Sequence, residues 1–471
     1  MMRTRIVWLT VLAWVCSQAP GLAWGSGFSH TTADLSQART LLAGTGAGDL
    51  ALFGGGTRGF QSGQASDVVD VYDGRTGNWS VEHLSVARFG LAATSVGTKA
   101  IFAGGASEYS GGCSLRVYSD AVDIYDTDAR TWLQAALSQP RTWLSAASVG
   151  SKALFAGGEY SGGGFVGSLY VSDVVDIYDA AMDRWSTGRL SQARSAPAAA
   201  SAGGKAIFAG GLYREDELRG PDLVSDVVDI YDPKQDAWST TSLPVPCVDL
   251  AAASVGSKAI FGGGLTWSDG YYPSDLLQIY DVTTDTWTTA TFPNPRTGMV
   301  AATVAGRALF AGGVSSPHGE RSDLVSIYDP SSNTWATMKL SEARWGTAVA
   351  GVGNKAVFAG GHAEDYHVFS VADVFQTPTV AGDASLDGWV DDDDLSILPA
   401  QWTGAGGSGG TWKTGDFDGN GAVSDVDLSL LLANWTGDSG SAGIPEPVTL
   451  ILLALGAQIT IWPRRKKEMK R

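Results

Sequence analysis

The stretch "SDVVDIYD" at residues 172–179 decides the fold, because it is copied along the chain. The same eight letters return at 225–232, and close variants stand at 66–73 and 119–126. The Tyr-Asp pair in this stretch occurs six times, at Tyr72, Tyr125, Tyr178, Tyr231, Tyr280 and Tyr328. A unit of about 50 residues that returns this regularly indicates an array of similar supersecondary units.

Three further landmarks keep fixed places in the units. A Trp follows each Tyr by seven residues, and nine residues after each Trp comes an Arg, or Cys247 in one unit. The tryptophans are Trp79, Trp132, Trp185, Trp238, Trp287 and Trp335, and the arginines are Arg88, Arg141, Arg194, Arg296 and Arg344. A glycine doublet closes an apolar run ahead of each Tyr, as in "KAIFAGG" (205–211), and there are seven such doublets.

Each unit contains four strand-like runs. In the third unit these runs are "SAASVG", "KALFAGG", "DVVDIYD" and "RWSTGRL". Small and β-branched residues suit strands that are packed on both faces, and Gly-rich or polar segments separate them. Four antiparallel strands in about 50 residues are typical of a propeller blade.

The order Arg, Gly-Gly, Tyr-Asp, Trp resembles the kelch repeat over roughly residues 28–380. The resemblance implies an all-β, seven-bladed kelch-type β-propeller that serves mostly as a binding scaffold, and we assign residues 26–380 to it. The seventh unit has no Trp strand after "VADVF" (371–375), whereas "FSHTTADL" (28–35) stands before Arg39 without a blade of its own. We expect this N-terminal segment to be the missing outer strand, because six or eight blades would leave an unpaired edge.

One face of such a propeller carries the loops between the second and third strands, together with the links that bear the arginines. These loops are rich in aromatic residues, which suit a protein or polysaccharide partner. The candidate contacts are Tyr109, Tyr160, Phe165, Tyr213, Trp267, Tyr271, Tyr272 and Tyr366. For the arginines we favour a structural role, in which they pair with the repeated Asp of each blade.

An enzyme on the same scaffold is the alternative. Some kelch-like propellers are copper radical oxidases, and His318, His362 and His367 could supply imidazole ligands. A secreted carbohydrate-active enzyme is the other form of this alternative. Because the sequence shows no Ser-His-Asp spacing, phosphate loop or His-rich metal helix, we expect no catalytic residues.

Residues 381–437 hold two similar acidic segments 33 residues apart. Oxygen-bearing residues at alternate positions, with Gly388 or Gly421 at the sixth, are typical of EF-hand-like calcium loops. The proposed calcium ligands are Asp383, Ser385, Asp387, Trp389, Asp391 and Asp394 in the first loop and Asp416, Asp418, Asn420, Ala422, Ser424 and Asp427 in the second, with Trp389 and Ala422 contributing carbonyls. Calcium would neutralise the repelling charges and order the loops.

A short helix is expected after each loop, and the pair resembles a type I dockerin over residues 381–437. Dockerins typically bind cohesin modules, so a cohesin-like partner is possible. The recognition pairs Asp392-Asp393 and Asp425-Val426 differ from the small hydroxyl pairs usual there, and Pro399 interrupts the first helix. The sequence therefore supports folding around calcium more firmly than docking to cohesin.

The N-terminus, residues 1–25, reads as a signal peptide with Arg3 and Arg5 ahead of a short apolar run. A short membrane anchor, or a lipoprotein modified at Cys16, remains an alternative. Once this segment is removed, Cys113 and Cys247 remain, in different blades, which is no disulfide framework. The formal net charge of −17 argues against a nucleic-acid partner.

After a linker (438–444), residues 445–471 combine Pro445-Glu446-Pro447, an apolar run and a basic end. Together these parts resemble the PEP-CTERM sorting signal of exported bacterial proteins, which is cut by an exosortase. The apolar run is expected to form a transmembrane helix that holds the protein in the cell envelope before release to the surface or matrix. A permanent anchor is the alternative.

Overall fold

The computed structural model describes residues 27–59, 64–108, 116–161, 169–215, 222–266, 272–316 and 318–378, together with 382–383, 390, 394–395, 397, 415–417 and 422–434. It shows seven four-stranded antiparallel sheets, which confirms the seven-bladed β-propeller. Neighbouring innermost strands contact one another all the way round, so the ring is closed about a central channel. Within the described ranges, no helix has the length and apolar character needed to cross a membrane. The apolar tail and the signal segment lie outside these ranges.

The blades are numbered in chain order, each from its innermost to its outermost strand. Blade one comprises β2 (Ala43–Ala47), β3 (Leu50–Gly54), β4 (Val68–Asp73) and β5 (Trp79–His83); blade two, β6 (Ala92–Val96), β7 (Lys99–Ala103), β10 (Ala121–Asp126) and β11 (Thr131–Ala136); blade three, β12 (Ser145–Val149), β13 (Lys152–Ala156), β16 (Val174–Asp179) and β17 (Arg184–Arg189); blade four, β18 (Ala198–Ala202), β19 (Lys205–Ala209), β22 (Val227–Asp232) and β23 (Ala237–Ser242). Blade five comprises β24 (Ala251–Val255), β25 (Lys258–Gly262), β28 (Leu276–Asp281) and β29 (Thr286–Thr291); blade six, β30 (Val300–Val304), β31 (Arg307–Ala311), β32 (Leu324–Asp329) and β33 (Thr334–Lys339); blade seven, β34 (Ala348–Val352), β35 (Lys355–Ala359), β36 (Val371–Gln376) and β1 (Ser29–Asp34).

The core lies between the sheets rather than inside any one of them. Second strands such as Lys152–Ala156 are buried except at their first residue, because they pack on both faces. The outer strands are mostly exposed but turn a Trp toward the preceding blade. Trp185 packs beside Tyr178, with ring centroids 5.2 Å apart, against the apolar residues of blade two. The repeated Tyr and Trp therefore fill the seams between neighbouring blades.

The seventh blade is completed by the start of the chain. Strand β1 pairs antiparallel with β36, with Ser29 opposite Gln376 and Asp34 opposite Val371. His30 stands where the other blades have Trp; its ring stacks on Phe375 at 4.5 Å and its Nε2 lies 2.6 Å from Asp373. This pairing confirms the closing role expected for residues 28–35.

Blades seven and one meet more closely than a side chain would allow. A Cβ on Gly46 would stand only 1.8 Å from the carbonyl oxygen of Gly351. Glycine at this position lets the innermost strands of the first and last blades touch through their backbones. The closure of the ring therefore depends on glycine at position 46 as well as on strand pairing.

Four consecutive blades carry short two-stranded ribbons where the sequence suggested loops. The ribbons of blades two to five are β8 (Ala106–Glu108) with β9 (Arg116–Tyr118), β14 (Glu159–Ser161) with β15 (Leu169–Val171), β20 (Leu212–Tyr213) with β21 (Leu223–Val224), and β26 (Leu265–Thr266) with β27 (Tyr272–Pro273). They join the second and third strands of their blades, so they stand on the face that also bears the links between blades. We call this face the loop face.

A small helical unit follows the propeller in the chain. Its helix α1 (Asp425–Ala433) begins at Ser424, whose side chain caps it together with Asp427. Leu428 and Leu431 of this helix pack with Val390 and Leu395 of the first acidic segment. The two acidic segments therefore share one apolar core.

Candidate functional site

The repeated arginines are wholly buried within the blades, which supports their structural interpretation. Five of them pair with an Asp on the third strand of the same blade: Arg39–Asp70, Arg88–Asp123, Arg141–Asp176, Arg194–Asp229 and Arg344–Asp373. Burial lowers the pKa of each arginine, and the facing carboxylate opposes that shift. These ion pairs hold the framework and are not available to a ligand.

Each of these carboxylates also holds the link that enters the blade. In blade four, Asp229 accepts a hydrogen bond from Arg194 at 2.7 Å and another from the backbone N–H of Ser191 at 2.9 Å. The same Ser N–H contact occurs in the other four ion-paired blades. One Asp thus fixes a strand, an arginine and a link together.

Blades five and six depart from this scheme. Their links carry Pro244 and Pro293 where the other five have Ser, and proline has no N–H to donate. In blade five Gln278 takes the place of Asp and bonds the N–H of the next link residue, Val245, at 2.9 Å. The arginine is replaced there by Cys247, a buried free thiol whose pKa burial raises to about 12.

Blade six keeps its arginine without a carboxylate in contact. Arg296 donates to the Ser326 hydroxyl at 2.7 Å, and to four backbone carbonyl oxygens. Burial lowers the pKa of Arg296 to about 10, so it remains a cation at neutral pH. Its charge is balanced only by more distant groups such as Asp323.

A cleft of the loop face lies between the ribbons of blades four and five and measures about 640 Å³. Two of the aromatic residues singled out in the sequence, Tyr213 and Tyr272, line it, and the Tyr272 residue is 59% exposed. The remaining lining residues are Leu223, Val224, Val245, Pro246, Thr266, Pro273, Ser274, Asp275 and Leu276. The cleft is thus mainly apolar, with a few hydroxyls and one carboxylate.

Two other candidate aromatics occupy different parts of the loop face. Tyr160 stacks on Tyr170 across the ribbon of blade three, with ring centroids 5.5 Å apart. Tyr366, in blade seven, is 46% exposed and has a left-handed backbone with φ of 64°. A left-handed tyrosine is strained, and such strain is found often at binding sites.

Beside Tyr366 lies a buried histidine that the fold keeps neutral. His362 bonds the Thr40 hydroxyl through Nδ1 at 2.9 Å, and its Nε2 faces the Arg321 guanidinium at 3.4 Å. Burial and the positive charge of Arg321 lower the pKa of His362 to about 4. Trp345 packs edge-on against the His362 ring at 5.2 Å. Both imidazole nitrogens already have protein neighbours, which disfavours this histidine as a copper ligand.

The mouth of the central channel on the loop face is formed by a ring of seven residues, each two positions after the repeated Arg or Cys. All seven have a left-handed backbone, with φ between 48° and 70°. They are Leu41, Gly90, Trp143, Ala196, Asp249, Gly298 and Gly346. Backbone hydrogen bonds join neighbouring members, such as Trp143 N–H to the Gly90 carbonyl at 3.1 Å.

Large side chains at the mouth lie over glycines of the preceding blade. A Cβ on Gly298 would stand 2.1 Å from the Trp345 indole nitrogen, and one on Gly90 would stand 3.7 Å from the Trp143 ring. Asp249 is the one acid of the ring and was not among the residues singled out from the sequence. Solvent reaches its side chain, but the channel wall surrounds it, and this desolvation raises the pKa of Asp249.

The first and last positions of both acidic loops are buried carboxylates: Asp383, Asp394, Asp416 and Asp427. Asp427 accepts hydrogen bonds from the N–H of Phe417 at 2.6 Å and of Ser424 at 2.9 Å. The end of the second loop is thereby held against its start. Ala422 and Ser424 are also buried, and the Ser424 hydroxyl caps α1.

Several expected site residues lie outside the described ranges. They are Ser385, Asp387, Trp389, Asp391, Asp418, Asn420, Tyr109, Phe165, Trp267, Tyr271 and the sorting motif Pro445, Glu446 and Pro447, along with Cys113. Within the described part of the chain, no three His, Cys, Asp or Glu side chains form a group that could hold a metal ion. The middle positions of both calcium loops are not in that part.

Comparison with known proteins yields fold-level similarity only. No protein-family model matches the chain, and neither does any curated protein. Among solved structures, 627 chains are similar to it. One, titled "Structure of YjhT", has 14% sequence identity and a TM-score of 0.48, over 72% of this chain and 95% of that chain. At this level of similarity we draw no conclusion on function from it.

Proposed function

We propose that this chain is an exported bacterial protein of the cell surface or extracellular matrix, whose kelch-type propeller binds a protein or polysaccharide partner through its loop face. The observation that carries the proposal is the aromatic cleft between blades four and five. Repeat tyrosines such as Tyr178 are 1% exposed, whereas Tyr272 in the cleft is 59% exposed. Large aromatic residues left in contact with solvent on one face are typical of recognition surfaces.

The cleft has the dimensions and chemistry of a site for a protruding group. Its volume of about 640 Å³ falls in the range of small-molecule sites, roughly 300–1,000 Å³. Tyrosine rings can stack on the apolar face of a sugar, while Asp275 and Ser274 can bond its hydroxyls. A terminal sugar of a polysaccharide, or an exposed side chain of a protein, would fit this description.

The ribbons add a wider contact surface around the cleft. They occur on blades two to five, which are neighbours, so they form one continuous arc on the loop face. In the described residues of blades one, six and seven, the same loops are joined by isolated β-bridges rather than ribbons: Thr57–Ala65, Val314–Arg321 and His362–Val368. A partner larger than one sugar would therefore be held along this arc rather than centred over the channel.

The small C-terminal unit is proposed to be a dockerin-like module ordered by calcium. Buried carboxylates at both ends of each loop fit a hard divalent cation, because buried charges of one sign are costly without a counter-charge. Asp383, Asp394, Asp416 and Asp427 would hold the ions, joined by the middle residues of each loop. Calcium would supply the positive charge that offsets these carboxylates, and a cohesin-like module is the partner that the dockerin resemblance implies.

Export and sorting rest on the two ends of the chain. The N-terminal segment would direct secretion, and the Pro445-Glu446-Pro447 tail would be recognised by an exosortase. Mass spectrometry of the mature protein tests this directly, since a cut tail ends near residue 447 and a permanent anchor retains the basic end.

Binding is tested with the full chain on a glycan array and in pull-downs with matrix polysaccharide. Wild-type protein should bind a defined glycan or surface protein, and Tyr272→Ala and Tyr213→Ala should lose most of that binding. Met182→Ala is the matched control, because Met182 is 61% exposed on a turn of the opposite face. Equal binding by the tyrosine variants, or no binding by wild type, would sink the proposal.

The same array also distinguishes a binding protein from the alternative, a copper radical oxidase or a carbohydrate-active enzyme. An enzyme would convert the bound glycan, which mass spectrometry of the recovered sugars detects. Calcium is tested separately by titration calorimetry of the full chain. Asp394→Asn with Asp427→Asn should abolish calcium binding and leave glycan binding by the propeller unchanged.

A further inference from the structure

The mouth of the central channel is a second concave region, distinct from the cleft between the ribbons. It encloses about 260 Å³ and is lined by residues of all seven links. Its walls are mainly apolar, with Leu42, Leu91, Leu144, Leu250 and Met299 among them. None of these residues lines the cleft that carries the proposed function.

Asp249 is the one charged residue among those that line the mouth. Within the described ranges its carboxylate has no basic neighbour and no hydrogen-bond donor. Desolvation is the single cause of the raised pKa of Asp249. Its carboxylate thus differs from that of Asp229, which faces Arg194 and a backbone N–H. The Asp249 side chain is open to the channel, and no counter-charge among these residues offsets it, so it can attract a cation that enters the mouth.

The backbone at Asp249 is held in place by the ring. Its φ is 54°, a left-handed value, and its carbonyl oxygen accepts a hydrogen bond from Gly298 at 3.3 Å. The hydrogen-bonded ring therefore fixes the backbone from which the Asp249 side chain extends. The carboxylate is therefore presented at the mouth by the fold itself.

Trp143 stands in the same ring, two blades before Asp249. Among the described residues no cation lies over its indole, whereas Arg321 already lies over Trp345 at 5.6 Å. An indole face attracts a cation through its quadrupole, most strongly where water is excluded. The mouth thus offers a cation two kinds of attraction, a carboxylate and an aromatic face.

We infer that the channel mouth binds a small organic cation, an amine or quaternary ammonium, between Asp249 and Trp143. The apolar walls would hold the hydrocarbon part of such a ligand. A metal ion would need several oxygen or nitrogen ligands, and Asp249 supplies the only carboxylate among the described residues that line the mouth. A sugar would need more hydrogen-bonding groups than Asp249, Ser145 and Thr347 provide.

The test compares choline with its neutral isostere, 3,3-dimethylbutan-1-ol, on the full chain. Choline should show saturable binding in titration calorimetry and ligand-observed NMR, and the neutral alcohol should bind at least about tenfold more weakly. Asp249→Asn should weaken choline by at least about tenfold and leave the alcohol unchanged. Asp128→Asn, which removes the same charge from an exposed turn of the opposite face, should change neither.

A second variant guards against misfolding of the first. Trp143→Leu should also weaken choline, and the fold should accept it because Leu41 holds the equivalent ring position with φ of 55°. Choline binding that is unchanged in both variants, or equal binding of choline and the alcohol, would overturn the inference, as would no choline binding by wild type. Tyr272→Ala should leave choline binding intact, which keeps this result separate from that of the glycan experiment.

Discussion

Blades four and five have the same four strands, with closely similar first and second strands, yet they hold their links in different ways. Blade four has a buried ion pair, Arg194 with Asp229, whereas blade five has two neutral residues, Cys247 and Gln278, at the same positions. In both, the residue on the third strand bonds a backbone N–H of the incoming link. The shared requirement is therefore the anchoring of the link, and the charge is one of two ways to meet it.

Whether a blade has Asp or Gln at this position on its third strand depends on which backbone N–H groups its link can donate. Asp reaches the N–H of a Ser three residues before the arginine, and all five Asp-bearing blades have that Ser. Pro244 offers no such donor, and the longer Gln278 reaches the next N–H instead. A carboxylate that lost this donor would keep only its arginine, which leaves part of its desolvation cost without compensation.

The largest expected effect comes from breaking an ion pair of blade four. Asp229→Ala leaves the Arg194 guanidinium wholly buried without an anion and frees the Ser191 N–H. Removing one partner of a buried pair costs about 3–5 kcal/mol, so the free energy of unfolding should fall by that much. Chemical denaturation followed by tryptophan fluorescence measures it.

Two matched variants show whether charge is the cause. Gln278→Ala removes the equivalent anchor from blade five without stranding a charge, and should cost only about 1–2 kcal/mol. Asp173→Ala breaks the surface pair with Arg189, whose side chain is 72% exposed, and should cost less than about 1 kcal/mol. If Asp229→Ala and Gln278→Ala were equally destabilising, the distinction between charged and neutral blades would have no energetic basis.

The next prediction concerns the pH dependence of stability, and it contrasts the buried arginines with the buried His362. Five of the arginines face a carboxylate that favours their charged form, whereas burial and the facing Arg321 favour the neutral form of His362. Folding lowers the pKa of His362 from 6.5 to about 4, so between these values the unfolded chain binds the extra proton. The free energy of unfolding should therefore decrease as pH falls from 6.5 to 4, by at most roughly 3 kcal/mol, and this contribution should be complete above pH 6.5.

The carboxylates of the protein also titrate at low pH, so the measurement must be a difference. His362→Gln keeps a polar side chain that does not titrate, and its unfolding free energy should depend less on pH than that of wild type between pH 4 and 6.5. Parallel curves for the two proteins would mean that His362 is already protonated in the fold or fully hydrated.

The repeat made most of the propeller predictable. The spacing of Tyr72 and its five counterparts gave the blade length, and the missing Trp strand after residue 375 pointed to the N-terminal strand. Both conclusions need only counting, because each blade buries the same side chains in the same order. The arginine–aspartate pairing was predictable for the same reason.

The channel mouth could not be read from the same pattern. Its seven ring positions hold Leu, Gly, Trp, Ala, Asp, Gly and Gly, so no single residue type marks the position in every blade. What repeats is a backbone conformation and a backbone hydrogen bond, which leave no mark in the sequence. Asp249 could have been found only by aligning the units and asking which one places an acid where the others place small or apolar residues.

The smallest expected effect tests whether the N–H donor of the link and the carboxylate on the third strand are energetically coupled. Blade six has Arg296 but lacks both the link N–H, at Pro293, and the carboxylate, at Ser326. Ser326→Asp alone should gain little, because one carboxylate oxygen would have no donor, and Pro293→Ser alone provides a donor without an acceptor. The double variant should exceed the sum of the single changes by roughly 1 kcal/mol in unfolding free energy. Strict additivity in this double-mutant cycle would mean that Ser and Asp accompany each other in five blades without acting on each other.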